Sequence, residues 1–218
     1  TVPVVRSAYR NMKLYWSPPM ASLAILVLAY ETDMSVQLVQ MDIATKRMED
    51  GRLLSEINPK NCMPVLERDD GSILTETAVI LEWLAAQDPQ LRFTAPAHSE
   101  EHLRINEWMV YFATEQHKLA TLLFWDIPED SKKAIRDRIV HRFGIAEKAL
   151  AKADFLVGNR CTIADFYLRV MVRGVEHLFE GFDLSSQFPA IHVWMKRLIA
   201  RPAVIRALQN HGQGELLH

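Results

Sequence analysis

The residues best suited to binding a small molecule lie in one stretch, NPKNCMPVLERDDGSILTET, at positions 58–77. Pro64 opens an apolar run and has no backbone N–H, which is typical of a strand beginning or edge, where a neighbouring carbonyl and N–H can pair with an extended peptide. Glu76 and Thr77 stand where a helical pattern begins. Helix N-terminal amides attract anions and a carboxylate attracts an ammonium group, so this position suits a ligand that carries both charges. The alternatives are an ordinary strand-initiating proline and a helix start that Glu76 and Thr77 merely stabilise.

The composition is that of a soluble globular protein. Of the 218 residues, 49% are apolar and 24% are charged, and the formal net charge is −2. A chain without a basic surplus is not expected to bind nucleic acid, and no run approaches the roughly 20 apolar residues of a membrane span. Cys62 and Cys161 lie too far apart for a CxxC motif, which favours a reducing, cytoplasmic environment. No metal site is expected, because His98 and His102 lack an accompanying ligand pattern.

Alternating and helical patterns in the first half predict the elements that position these residues. Strands are predicted at 12–16 and 35–43 with a helix between them, which makes a parallel βαβ unit. A weak short helix is predicted in RMEDGRLLSEI, and the turn Asp69-Asp70-Gly71 predicts a β-hairpin. A strong helix follows at 76–87. The order βαβαββα predicts a thioredoxin-like domain over residues 12–88.

The second half is predicted to be helical throughout. Residues 89–98, which include two prolines, form the predicted linker, and Ser99 begins a long amphipathic helix that extends to residue 125. No convincing strand follows, so residues 99–218 form an all-α domain and the fold class is α/β plus all-α. Residues 1–11 are interpreted as an N-terminal extension without the apolar core of a secretory signal.

Thr162 and Asp165 are predicted to be structural. They have the spacing of a capping box at the start of an apolar helix. Losing such a cap typically costs about 1 kcal/mol of stability.

Six fragments together resemble the glutathione S-transferase family, and more narrowly its bacterial beta class. They are MKLY, MDIATKRMEDG, INPKNCMPVLERDDGSILTET, EWMVYFATEQHKL, FLVGNRCTIADFYL and ARPAV. The resemblance covers roughly residues 12–210. It implies that glutathione is the co-substrate, that an apolar electrophile is the second substrate, and that the protein is a cytoplasmic homodimer involved in detoxification.

The resemblance also implies a role for each part of the opening stretch. Pro64 is expected to be cis, and the backbone of Met63 is expected to pair with the cysteinyl part of glutathione. Glu76 and Thr77 are expected to bind the γ-glutamyl end, which carries an amine and a carboxylate.

Three basic residues match positions that beta-class proteins place around glutathione: Lys46, His117 and Lys118. Lys46 is expected to pair with the glycyl carboxylate. The alternatives are a solvated surface lysine and a structural histidine.

The sequence departs from the beta-class pattern at the residue expected to contact the glutathione sulfur. Beta-class proteins have a cysteine where this chain has Ala21. The thiol still needs activation, because the thiolate is the nucleophile. Ser22 and then Ser17 are the candidate hydroxyl donors, and His117 is the remaining catalytic candidate; helix capping is the alternative for Ser22. Tyr15 is a further hydroxyl, unless it faces the core.

Cys62 is a second departure, since relatives often have glutamine at this position. It could form a mixed disulfide with glutathione, although buried, unreactive cysteine is the commoner case.

These residues leave three functions open. The first is a glutathione transferase that conjugates the thiol to an apolar electrophile. The second is a non-enzymatic glutathione-binding or protein-interaction module, motivated by Ala21. The third is a glutathione-dependent thiol-disulfide or peroxide reductase that uses Cys62.

Overall fold

A computed structural model describes residues 11–17 and 21–210. The chain divides into two compact units. The N-terminal unit comprises the described residues up to Leu91 together with Pro202–Asn210, and the helical unit comprises Arg92–Arg201. The predicted extension lies outside the described residues except for Asn11, whose backbone N–H donates to Asp69 at 3.0 Å.

The N-terminal unit has the predicted thioredoxin-like arrangement of a mixed sheet with helices. Its elements are β1 (Met12–Trp16), α1 (Ser22–Glu31), β2 (Val36–Asp42), β3 (Arg47–Met48), α2 (Leu54–Ile57), β4 (Val65–Glu67), β5 (Ile73–Thr75), α3 (Thr77–Ala86) and, from the end of the chain, α10 (Pro202–Asn210). Over the described residues the strand order is β3-β2-β1-β4-β5. β1 pairs with β2 in parallel, which confirms the βαβ unit. β4 pairs antiparallel with β1 and with β5, and the β4–β5 pair is the predicted hairpin.

Helix α1 is the central helix of this unit because it is apolar on every side. Residues 22–29 are all buried, and the helix packs against α3 and α10. On the sheet, Tyr15 packs with Met48, Leu54 and Val65 in a buried cluster. The sheet is therefore held between α1 and the α2 segment by apolar burial.

One local prediction in this unit is confirmed only in part. The segment RMEDGRLLSEI contains strand β3 and a tight turn before the four-residue helix α2. Gly51 adopts φ +87° and its N–H donates to the carbonyl of Met48, so a turn forms there. The predicted short helix is confined to Leu54–Ile57 and ends before Asn58, as predicted. In α3 the buried face includes Ile80, Leu81 and Leu84, whereas Val79 is 49% exposed.

The helical unit consists of helices throughout its described residues, as predicted. They are α4 (Glu100–Tyr111), a π-helical segment (Phe112–His117), α5 (Lys118–Leu122), α6 (Glu129–Leu150), α7 (Ile163–Leu178), α8 (Leu184–Gln187) and α9 (Pro189–Ile199). Ser99 caps α4 by accepting from the His102 N–H at 3.2 Å. The long helix predicted from this cap is interrupted by the π-helical segment, a feature frequently found at functional sites.

Replacing Glu147 with alanine is expected to destabilise the helical unit. The carboxylate, on α6, accepts from the backbone N–H groups of Ala190 and Ile191, each at 2.9 Å, in the first turn of α9. Without these bonds two helix-end donors lose their partners, so E147A should lower the free energy of unfolding by about 1–3 kcal/mol in urea titrations followed by circular dichroism. The exposed Glu180 provides the control, and an E147A value within about 0.5 kcal/mol of E180A would contradict the expectation.

Candidate functional site

The Met63-Pro64 peptide bond is cis, as the resemblance implies. Pro64 is buried and directly precedes β4, which lies between β1 and β5 rather than at an edge of the sheet. In the β4–β5 hairpin Val65 pairs with Thr75. Pro64 and Glu76 therefore both adjoin the last pair of the hairpin, which brings the two parts of the opening stretch together.

Three residues around this loop have a backbone conformation that is unusual for a side chain larger than glycine. Lys46 has φ +54°, Asn61 +53° and Glu76 +72°. Residues in this left-handed region are energetically costly and concentrate at ligand-binding sites. Their grouping around the Met63-Pro64 bond is an independent indication that this loop has a function.

Lysine side chains link the loop to its neighbours. The Lys46 ammonium donates to the carbonyl of Asn61 at 3.0 Å. The Lys60 ammonium donates to Glu76 Oε1 at 2.8 Å and to Thr75 Oγ1 at 2.9 Å. We call Lys46, Lys60, Met63, Pro64 and Glu76 the cis-proline cluster. Sequence reasoning missed Lys60, because an exposed lysine 16 residues before its carboxylate partner has no local signal.

Asn58 sets the shape of the loop that carries the cluster. Its side chain is buried, donates to the carbonyl of Cys62 at 2.7 Å and accepts from the N–H of Lys60 at 3.1 Å. These bonds fix the backbone immediately before Met63. The signal was present in the sequence, since asparagine before proline is typical of a turn.

The N-terminus of α3 is suited to binding an anion. Glu76 is the N-cap residue but makes no capping bond with its side chain, and buried Thr77 is the first residue of the helix. The capping role considered for Thr77 is therefore wrong. The carboxylate of Glu76 is instead bound to Lys60 in an ion pair with both side chains more than half exposed. Exposed pairs contribute at most about 1 kcal/mol, so a ligand could replace this one at little cost.

The start of α1 carries two buried serines. Ser17 is 4% exposed and follows β1, and Ser22 is 1% exposed and is the first residue of α1. Ala21 is the N-cap, so helix capping does not explain Ser22. The Ser22 hydroxyl oxygen finds no hydrogen-bond partner among the residues that the structure describes.

Tyr15 is excluded as the hydroxyl donor. It is fully buried, and its hydroxyl donates to Glu67 Oε2 at 2.6 Å. Burial raises the pKa of Tyr15, while hydrogen bonds from Lys13 and Tyr15 lower the pKa of Glu67. The Tyr15 hydroxyl therefore links β1 to the neighbouring strand β4.

His117 and Lys118 lie in the helical unit, at the end of the π-helical segment and the start of α5. His117 Nδ1 is 2.9 Å from the hydroxyl of Tyr167 on α7. Lys118 is exposed. The contact with Tyr167 orients the His117 ring within the helical unit. This orientation is compatible with a structural role and with a catalytic role.

Family models match most of the chain. The glutathione S-transferase N-terminal domain matches residues 10–86, and the C-terminal domain matches residues 103–202. The glutathione S-transferase GstA of Escherichia coli O157:H7 is 35% identical over 205 residues, which span 92% of this chain and 99% of that protein. The chain belongs to the glutathione S-transferase family.

Solved glutathione S-transferases of bacteria have the same fold. A sphingomonad glutathione S-transferase complexed with glutathione has a TM-score of 0.85 and 30% identity, covering 92% of this chain and 98% of that one. A beta-class glutathione S-transferase of Sphingomonas chungbukensis has a TM-score of 0.86 and 30% identity, covering 92% and 99%. Both confirm the predicted fold and its likeness to bacterial members.

The solvent exposure of Cys62 differs from the burial that is commoner for cysteine. The residue is exposed, whereas Cys161 is buried. Cys62 also directly precedes Met63, in the cis-proline cluster. The alternative of a buried cysteine is therefore wrong for Cys62, and its redox role stays a prediction.

Across the described residues, the longest helices are too short or too polar to cross a membrane.

Proposed function

We propose that this member of the glutathione S-transferase family conjugates the thiol of glutathione to an apolar electrophile. The observation that carries the proposal is the cis-proline cluster beside the N-terminus of α3. It places the Met63 backbone, which can pair with a peptide, near Glu76 and the first amides of α3. These groups suit the ammonium and the carboxylate of a γ-glutamyl end. The sphingomonad relative solved with glutathione supports the same ligand.

Each contact with glutathione is proposed from the chemistry of its group. The backbone of Met63 pairs with the cysteinyl amide, and Glu76 accepts from the ammonium group. The amides at Thr77 bind the adjacent carboxylate, which the dipole of α3 also favours. Lys46, with its exposed ammonium, pairs with the glycyl carboxylate. His117 and Lys118 stay predicted site residues, and the homodimer and the cytoplasmic location stay predictions.

Replacing Glu76 with glutamine is expected to weaken glutathione binding roughly tenfold to a hundredfold, because a hydrogen bond to a charged group contributes about 1.5–3 kcal/mol. Isothermal titration with glutathione measures the dissociation constant. The exposed Glu49 of the same unit provides a matched control, since E49Q removes the same charge away from the cluster. Equal affinities of E76Q and E49Q would exclude Glu76 as a glutathione ligand.

Capture on immobilised glutathione, followed by conjugation of 1-chloro-2,4-dinitrobenzene, tests the function itself. The transferase should be captured and should turn over the aryl halide. Failure of capture would contradict glutathione binding. Capture without turnover would favour the non-enzymatic module that Ala21 motivates.

A second candidate function rests on the exposure of Cys62. Its thiolate would displace one thiol from a substrate disulfide, and two glutathione molecules would then release the second thiol and leave oxidised glutathione. Cys62→Ser should abolish this exchange and leave conjugation intact. Exchange that persists in C62S would exclude Cys62.

A further inference from the structure

Arg169 is a buried arginine whose charge is not matched within the helical unit. It lies in the middle of α7 and is 3% exposed. Its Nε and Nη2 atoms make no hydrogen bond to any residue that the structure describes. Buried charges in proteins are ordinarily paired, because an uncompensated one is strongly unfavourable.

Titration does not remove this charge. Burial lowers the pKa of Arg169 to about 10, so the guanidinium remains protonated at neutral pH. Its neighbours along the helix face are Arg173 and Glu176, which also influence its pKa. Arg173 Nη1 binds Glu176 Oε2 at 2.7 Å, so the nearby carboxylate is engaged by Arg173 rather than by Arg169.

The geometry of the unpaired atoms indicates the class of ligand. Nε–H and one Nη2–H of a guanidinium point in the same direction and form one straight edge of the planar group. A carboxylate matches this edge with two parallel hydrogen bonds. A spherical anion such as chloride cannot make the same paired contact.

The position of Arg169 on α7 separates it from His117, a predicted site residue of the same unit. Tyr167, which contacts His117, lies two residues earlier on α7. Two residues of an α-helix are about 200° apart around its axis, so the two side chains leave the helix in nearly opposite directions.

We propose that Arg169 binds the carboxylate group of a small organic acid through its Nε and Nη2 edge, on the side of α7 that faces away from Tyr167. The acid supplies the missing negative charge and both acceptors. The site is a property of α7 and does not depend on catalysis by the chain.

Thermal unfolding in matched salts tests this site without glutathione. The chain is heated at pH 7 in sodium formate, acetate or chloride of equal ionic strength, with acetamide as a neutral counterpart of acetate. Formate and acetate are chosen because a residue with 3% exposure has a narrow approach. A ligand that binds the folded state raises the unfolding temperature, so both carboxylates should raise it above the chloride value, and acetamide should not.

Three variants make the result specific to Arg169. R169M should lose the difference between carboxylate and chloride. R138Q, which removes an exposed positive charge from α6, should keep it. R169K retains the charge but lacks the two-donor edge. It should also lose the difference in unfolding temperature between carboxylate and chloride. This variant tests the proposal if R169M does not fold. The proposal is overturned if acetate and chloride give equal temperatures in the wild-type chain, or if R169M or R169K keeps the full difference.

Discussion

Alanine in place of Asp165 is expected to lower the free energy of unfolding by roughly 3–5 kcal/mol, because buried donors lose their acceptor. Asp165 is fully buried at the start of α7. Its Oδ2 accepts from the N–H and hydroxyl of Thr162 at 2.8 and 3.1 Å. Its Oδ1 accepts from the N–H of Leu156 at 3.1 Å and from the indole N–H of Trp194 at 2.9 Å. The carboxylate therefore joins the preceding loop, α7 and α9.

Urea denaturation followed by circular dichroism and by tryptophan fluorescence measures this loss. D165N should lower the free energy of unfolding by about half as much as D165A. Its amide nitrogen replaces one carboxylate oxygen and faces two donors there, while its remaining oxygen still accepts from the other two. D126A, which removes an exposed carboxylate of the same unit, is the control. A D165A value near 1 kcal/mol would mean that the residue acts as an ordinary cap.

The stability that Asp165 contributes is also expected to depend on pH. Burial raises its pKa from 3.8 to about 6. Between these values the folded chain keeps a proton that the unfolded chain has lost, so the contribution is greatest below about pH 4 and declines as pH rises through 6. The difference in unfolding free energy between wild type and D165N should accordingly narrow from pH 4.5 to pH 7.5. A difference that widens would show that the hydrogen bonds to the carboxylate outweigh its burial.

Asp165 illustrates what the sequence could and could not predict. Thr162 and Asp165 are three residues apart, so their capping pattern was visible and the helix start is confirmed. Leu156 and Trp194 lie 9 and 29 residues away, and their donors are brought to the carboxylate by tertiary packing. The sequence therefore predicted a cap of about 1 kcal/mol, whereas the structure indicates a buried junction.

The candidate glutathione site also combines features that the sequence predicted with features that only the folded chain shows. The hairpin was predicted because alternation and the Asp-Asp-Gly turn act over a few residues, and its register then places Pro64 near Glu76. The φ values of Lys46 and Glu76 could not be read from residue types that seldom adopt them. The ion pair of Lys60 with Glu76 likewise depends on two loops that meet only in the folded chain.

Ser22→Ala is expected to reduce kcat/KM for conjugation roughly tenfold to a hundredfold if the Ser22 hydroxyl donates to the glutathione sulfur. A hydrogen bond to a thiolate is charge-assisted and contributes about 1.5–3 kcal/mol. Its loss should raise the pKa of the bound thiol by about 1–2 units. The thiolate absorbs in the ultraviolet, so a spectrophotometric titration of the glutathione complex measures this pKa directly.

The same substitution should leave the fold intact or make it more stable. The Ser22 oxygen is buried and finds no hydrogen-bond partner among the described residues. The folded wild-type chain is therefore already destabilised by an unpaired polar group. Alanine removes that group and suits the first turn of α1. Reduced turnover together with an unchanged or higher unfolding temperature would therefore separate a catalytic hydroxyl from a structural one.

Ser17→Ala provides the matched comparison, because Ser17 is the other buried hydroxyl at this end of β1 and α1. If S17A alone raises the thiol pKa, Ser17 is the donor and Ser22 is not. If neither variant changes the pKa or the turnover, the two serine hydroxyls are excluded. Activation then rests either with His117 or with the backbone N–H groups at the start of α1, whose dipole also favours a thiolate. In the second case Ala21 has a clear meaning: this position needs no side-chain donor, since the helix end stabilises the thiolate by itself.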